Sequence, residues 1–187
     1  MTVGVTPSQT VGPFFAVGLP WDAGPFAVAP GTPGSILITG TVYDGAGDPL
    51  PDALIETWQA DPDGRFADLH GYGGGSRLAG FRGFARCGAE DGDGRFEIHT
   101  VKPGPVPWPD GRQQAPHIDV SVLGRGMLHR CVTRIYFEDE AERNRADPLL
   151  ETVPAERRAT LLARRSAGGY AFDIRLQGAG ETVFFAV

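Results

Sequence analysis

The stretch His117-Ile118-Asp119-Val120-Ser121-Val122-Leu123 and its neighbour Cys131-Val132-Thr133-Arg134-Ile135-Tyr136-Phe137 decide the fold. Both are rich in β-branched and aromatic residues, and a loop holding Gly124-Arg125-Gly126 separates them. They read as two strands at the heart of a sheet. Working outward, Arg95 to Val101 is a further strand, and upstream of it Ile36 to Tyr43 and Ala53 to Gln59 flank a turn at Asp44-Gly45-Ala46-Gly47-Asp48-Pro49. Downstream, Tyr170 to Leu176 and Thr182 to Val187 close the chain as strands. One late helix is expected over Pro154 to Arg165, with Thr152 or Val153 near its cap and Pro154 in its first turn. Short strands in series with one late helix predict an all-β domain over residues 35–187, built as a β-sandwich or partly open barrel.

The remaining segments are loops. Residues 1–34 mix Gly and Pro with Phe14, Phe15, Trp21 and Phe26, a pattern that sustains neither a helix nor a central strand. They read as an extended arm whose aromatics need burial against the chain's own barrel or another subunit. Residues 61–94 form a long Gly-rich excursion, and a loop of that length in a compact domain is usually functional or interfacial. The chain has 187 residues, 41% of them hydrophobic and 21% charged, which is enough for one sizeable core.

Charge narrows the functions. The net charge is −6, and Lys102 is the single lysine, so no basic stripe exists that would track a nucleic acid. An anionic small molecule would have to be bound by a few local arginines or backbone N–H groups. No Lys or Arg precedes Arg65, so the positive start of a signal peptide is absent, and no apolar run approaches a membrane span; a cytoplasmic protein is expected. Cys87 and Cys131 are expected as reduced thiols in or near the core.

Four histidines, His70, His99, His117 and His129, raise the question of a metal. His117 and Asp119 lie two apart on a strand and share a face, where they could hold one ion or form a polar pair. Arg134 and Tyr136 also share a face, and a buried Arg134 would need a carboxylate such as Glu56 or Asp173. Trp58 and Trp108 read as core or interface anchors.

The motifs TPSQTVGPFF, VYDGAGDPLPDALIETWQAD, HTVKPGPVPW, APHIDVSV, TRIYFEDE and GETVFF follow one another over nearly the whole chain. In that order they resemble the α subunits of the protocatechuate 3,4-dioxygenases, of the intradiol ring-cleavage dioxygenase family. The resemblance implies a β-sandwich core and a homologous β subunit that binds Fe(III) through two tyrosinates and two histidines. It maps the tyrosines to Phe66 and Val106, and the histidines to His117 and Asp119. Only one of the four ligands is kept, so the resemblance implies no metal in this chain and Fe(III) in the partner.

In the resembling enzymes the active site lies where α and β chains meet. The resemblance therefore implies that Thr10, Gly12 and Pro13 of the arm, and Arg125 of the loop, contribute to substrate binding in the partner's site. The implied reaction is cleavage of protocatechuate by O2 to 3-carboxy-cis,cis-muconate in aromatic catabolism. Two other readings stay open on the residues alone: a non-enzymatic β-sandwich binding or scaffold protein, and an iron enzyme with an altered His/Asp site.

Overall fold

Alternating burial turns the β-rich runs into one strongly curved sheet. The computed structural model describes residues 4–68, 75–89 and 92–186. Its strands are β1 (Ser35–Tyr43), β2 (Leu54–Trp58), β3 (Phe84–Gly88), β4 (Arg95–Val101), β5 (Val106–Pro107), β6 (Gln113–Gln114), β7 (His117–Leu123), β8 (Cys131–Phe137), β9 (Leu162–Ser166), β10 (Gly169–Ala171) and β11 (Ile174–Arg175). The main sheet runs β3-β2-β7-β8-β9-β10-β1; β4 flanks one edge of β1, while β10 and then β11 share the other. The two-stranded β5-β6 ribbon stands apart. In β7, Ile118, Val120 and Val122 point inward, and in β8 Thr133, Ile135 and Phe137 do. Each large aliphatic side chain buried this way contributes roughly 1.5–3 kcal/mol.

The end strands β3 and β4 approach each other without forming a ladder, and the second half of the arm closes the gap. Arg86 N–H donates to Gly24 O at 2.8 Å on one side. On the other, Ala27 N–H donates to His99 O at 2.8 Å and His99 N–H to Pro25 O at 2.9 Å. Gly24 is required here, because a Cβ at that position would stand 2.4 Å from Arg86 O. Phe26 stacks on His99 with ring centroids 4.4 Å apart, which gives that histidine a packing role. The chain is thus an all-β, nearly closed barrel of the kind expected, with the arm built into its wall.

Several expectations need correction. A late helical segment exists, but it is a 3-10 helix over Ala155–Leu161, and β9 begins at Leu162. The parallel pairing of Tyr136 with Leu162 and of Phe137 with Ala163 consumes the backbone donors that a helix through Arg165 would need. The helix α2 (Ala141–Ala146) carries no buried residue and therefore no apolar stripe to announce it; α1 (Phe15–Gly18) is a single turn. Tyr170 to Leu176 splits into β10 and β11, and between the two ladders Thr41 N–H donates to the Asp173 carboxylate at 3.0 Å.

The excursion over 61–94 holds strand β3, and residues 182–186 make single backbone bonds, such as Phe185 N–H to Val132 O at 2.8 Å, in place of the expected strand. Val187 and His70 lie outside the described residues. No helix among the described residues is long and apolar enough to cross a membrane.

Candidate functional site

The four positions that the resemblance assigns to metal ligands converge on the outer face of the sheet. Asp119 of β7 stands across from Trp58 of β2 on one side and Arg134 of β8 on the other. His117, two residues earlier, faces Tyr136. Phe66 stacks on Trp58, with centroids 5.9 Å apart and planes 3° from parallel. Val106 pairs with Gln114 in the β5-β6 ribbon.

The loops that bring Phe66 and Val106 here are locked together. Asp61 is buried, and its Oδ1 accepts from Asp63 N–H and Arg65 N–H, each at 2.9 Å, while its Oδ2 accepts from the Ser76 hydroxyl. Gly64 and Gly104 then let the two segments touch: added Cβ atoms would lie 2.2 Å from Pro105 O and 2.3 Å from Pro62 O. The glycines of DPDGRF and KPGPVPW thus serve close backbone approach.

At the centre of the patch is a guanidinium. Arg134 Nε donates to Asp119 Oδ1 at 2.7 Å, and its Nη1 donates to Gln114 Oε1 at 2.7 Å and to the Tyr136 hydroxyl at 3.4 Å. Arg134 therefore has a carboxylate partner, but it is Asp119. Glu56 instead pairs with Arg86 at 2.7 Å, and Asp173 accepts from Thr41 N–H at 3.0 Å. Tyr136 donates to Asp147 Oδ1 at 3.2 Å, and the buried Asp147 also accepts from Ala115, Leu149 and Leu150 N–H. Asp147, which the motifs did not single out, anchors this network.

Burial raises the pKa of the Tyr136 phenol, with the Asp147 charge adding to the effect, so it stays protonated. Burial, and next the Arg134 charge, hold His117 below its ordinary value, so the imidazole is neutral. Its Nδ1 lies 2.7 Å from Ala115 O, which can only accept, so Nδ1 carries the proton and Nε2 is the open acceptor.

The donor set does not fit a ferric ion. Phe66 has no oxygen, Val106 has no donor atom, and the Asp119 carboxylate is engaged by Arg134, which leaves one imidazole nitrogen. Among the described residues no group of three or more His, Cys, Asp or Glu could hold a metal. His99 is stacked in the barrel wall and His129 lies exposed on the hairpin loop, so neither joins His117.

A second constellation lies at the β7-β8 hairpin loop. The Thr10 hydroxyl accepts from Gly126 N–H at 3.0 Å, which docks the arm beside Arg125, while Gly12 takes a left-handed turn at φ +75° before the exposed Pro13. Arg125 Nε sits 3.3 Å from Asp52 Oδ2, and its side chain remains 63% exposed. Its guanidinium is thus oriented but largely available. Val5, Val11, Phe14, Val17, Leu19 and Trp21 are all exposed along the same arm.

Comparison with known proteins agrees with this fold. A family described as Dioxygenase matches residues 11–178. The protocatechuate 3,4-dioxygenase alpha chain of Burkholderia cepacia is 46% identical, over 100% of this chain and 99% of its own. The beta chain from the same organism is 33% identical, over 79% of this chain and 66% of its own. Among solved structures, the dioxygenase domain of a carbohydrate-binding fusion protein from Streptomyces sp. SirexAA-E superposes with a TM-score of 0.58 at 28% identity, covering 93% of this chain and 99% of that one. The chain belongs to the intradiol dioxygenase family, where it groups with the alpha chains of the protocatechuate 3,4-dioxygenases.

Proposed function

We propose that this chain is the non-iron-binding subunit of a cytoplasmic protocatechuate 3,4-dioxygenase. With a homologous beta chain that holds Fe(III), it takes part in the cleavage of protocatechuate by O2 to 3-carboxy-cis,cis-muconate. Both oxygen atoms enter the product as the bond between the two hydroxyl-bearing carbons breaks. The observation that carries this reading is the pairing of a ligand set that does not fit iron with an arm and loop held ready at the surface.

Thr10, Gly12 and Pro13 shape one wall of the partner's pocket. Gly12 allows close backbone approach and Pro13 sets the chain direction away from it. Arg125 faces the substrate carboxylate. A guanidinium forms paired, charge-assisted hydrogen bonds with a carboxylate, and in a chain of net charge −6 a local arginine is what an anionic substrate requires. The exposed apolar residues of the arm are covered by the beta chain.

Arg125→Ala tests the assignment in the co-purified complex. Losing one charge-assisted contact should raise KM for protocatechuate roughly 10-fold or more, with little change in kcat or thermal stability. Unchanged KM in the folded complex would remove Arg125 from the substrate site.

A further inference from the structure

The degenerate ligand set contains its own positive charge. The Arg134 guanidinium gathers three oxygen partners, the Asp119 carboxylate, the Gln114 side-chain carbonyl and the Tyr136 hydroxyl, and its side chain is only 15% exposed. Those partners come from three strands: β7 supplies Asp119, β6 supplies Gln114 and β8 supplies Tyr136. Gln114 is the ladder partner of Val106, and Asp119 stands across from Trp58, on which Phe66 stacks. The guanidinium thus reaches three of the four ligand positions directly or through one neighbour, Asp119 itself, Val106 by way of Gln114 and His117 by way of Tyr136, and the fourth, Phe66, through Asp119 and Trp58.

We propose that Arg134 is the resident cation of this site, standing in for a metal, and that it closes the site to metal ions even when ligating side chains are restored. The inference rests on the correspondence of ligand positions within the family and not on catalysis. A guanidinium has five N–H donors and no lone pair, so it holds oxygen partners as a cation does but can never ligate one. A metal entering here would have to take Asp119 from Arg134, leaving a mostly buried guanidinium without its counter-ion beside a second positive charge. The arginine supplies a positive charge to a face that keeps one imidazole and one carboxylate of the implied ligand set.

Two full-chain variants test this with Fe(III) as the probe. Phe66→Tyr, Val106→Tyr and Asp119→His together restore the donors while Arg134 stays; the second variant adds Arg134→Gln, which is neutral and still able to hydrogen-bond. The expected result is at least 10-fold more bound iron, with a visible phenolate-to-iron absorption band, in the second variant than in the first. Equal iron in both would overturn the proposal. So would no iron in either while both remain folded, since something other than the guanidinium would then close the site. If the restored set does not fold, Arg134→Gln alone is heated with and without Zn(II). Zn(II) should raise its unfolding temperature and leave the natural chain unchanged, and the same response in both proteins would overturn the proposal. Metal content is read without any turnover assay, so failure of the subunit assignment leaves the answer legible.

Discussion

Asp61 shows how much of this face depends on single residues. Its carboxylate serves two backbone N–H groups and the Ser76 hydroxyl, and so fixes the loop that lays Phe66 on Trp58. Asp61→Ala would leave those donors without an acceptor. The expected cost is about 2–3 kcal/mol, or roughly 5–10 °C in a thermal melt, together with greater exposure of Trp58 in its fluorescence. A melt within a degree of the natural protein would show that the loop holds itself. The resemblance singles out Phe66, Val106, His117 and Asp119, which lie on one face of the structure, but the partner of Arg134 was not legible. That partner depends on strand register. Inward-facing Ile118 and Ile135 fix only that Asp119 lies opposite an outward residue of β8, and the length of the hairpin loop decides that this residue is Arg134 and not Val132 or Tyr136.

Among the elements, β4, β7 and β8 have the bounds their composition predicts, since each is a run of β-branched and aromatic residues framed by turn residues. Segments whose state is set by neighbours were not readable in advance. The run from Leu162 becomes a strand because β8 offers a parallel edge, and the β10-β11 break falls where the Asp173 side chain takes the Thr41 N–H. The arm divides in a way that composition alone conceals. Residues 24–27 complete the barrel wall, Phe15 is buried, and residues 4–14 are largely exposed. Deleting residues 1–13 should therefore leave stability within about 1 kcal/mol, the range of surface changes that break no buried contact, while abolishing activity with the beta chain. Deleting residues 1–27 should prevent folding, because it removes the arm's backbone hydrogen bonds to β3 and β4. Circular dichroism and co-purification distinguish the two cases, and full activity after the shorter deletion would exclude the arm from the shared site.

For the molecule as a whole, the acidic excess is met by scattered ion pairs and by one shared network. Lys102 bridges Asp139 at 3.0 Å and Glu140 at 2.7 Å, Arg165 reaches Asp139 at 2.7 Å, and Lys102 also lies over the rings of Phe137 and Tyr170. Partial burial raises the Asp139 carboxyl, but hydrogen bonds from Lys102, Tyr170 and Arg165 outweigh it and hold the pKa below the ordinary 3.8. Burial likewise raises Glu140, and Lys102 and Arg143 outweigh it, keeping it below 4.5. Both carboxylates therefore add stability above their unfolded pKa values, and that stability is lost as pH falls through the lower folded values. The two side chains are only 24% and 16% exposed, but they pair at the rim of the molecule, where water and salt screen the charges, so the term is about 1 kcal/mol, or a few degrees between pH 6 and pH 3. Lys102→Met should flatten that acid limb, and an unchanged slope would show that the network carries no charge-dependent stability.

The central claim is that this chain is competent only as one half of a pair. It is tested most directly by measuring iron content and protocatechuate-dependent oxygen uptake of the chain purified alone and co-expressed with an iron-binding beta chain. The account predicts neither iron nor turnover in the lone chain, and both in the complex, with one iron for each alpha-beta pair. Stoichiometric iron and ring cleavage in the lone chain would contradict it, because His117 and Asp119 would then belong to a working metal site.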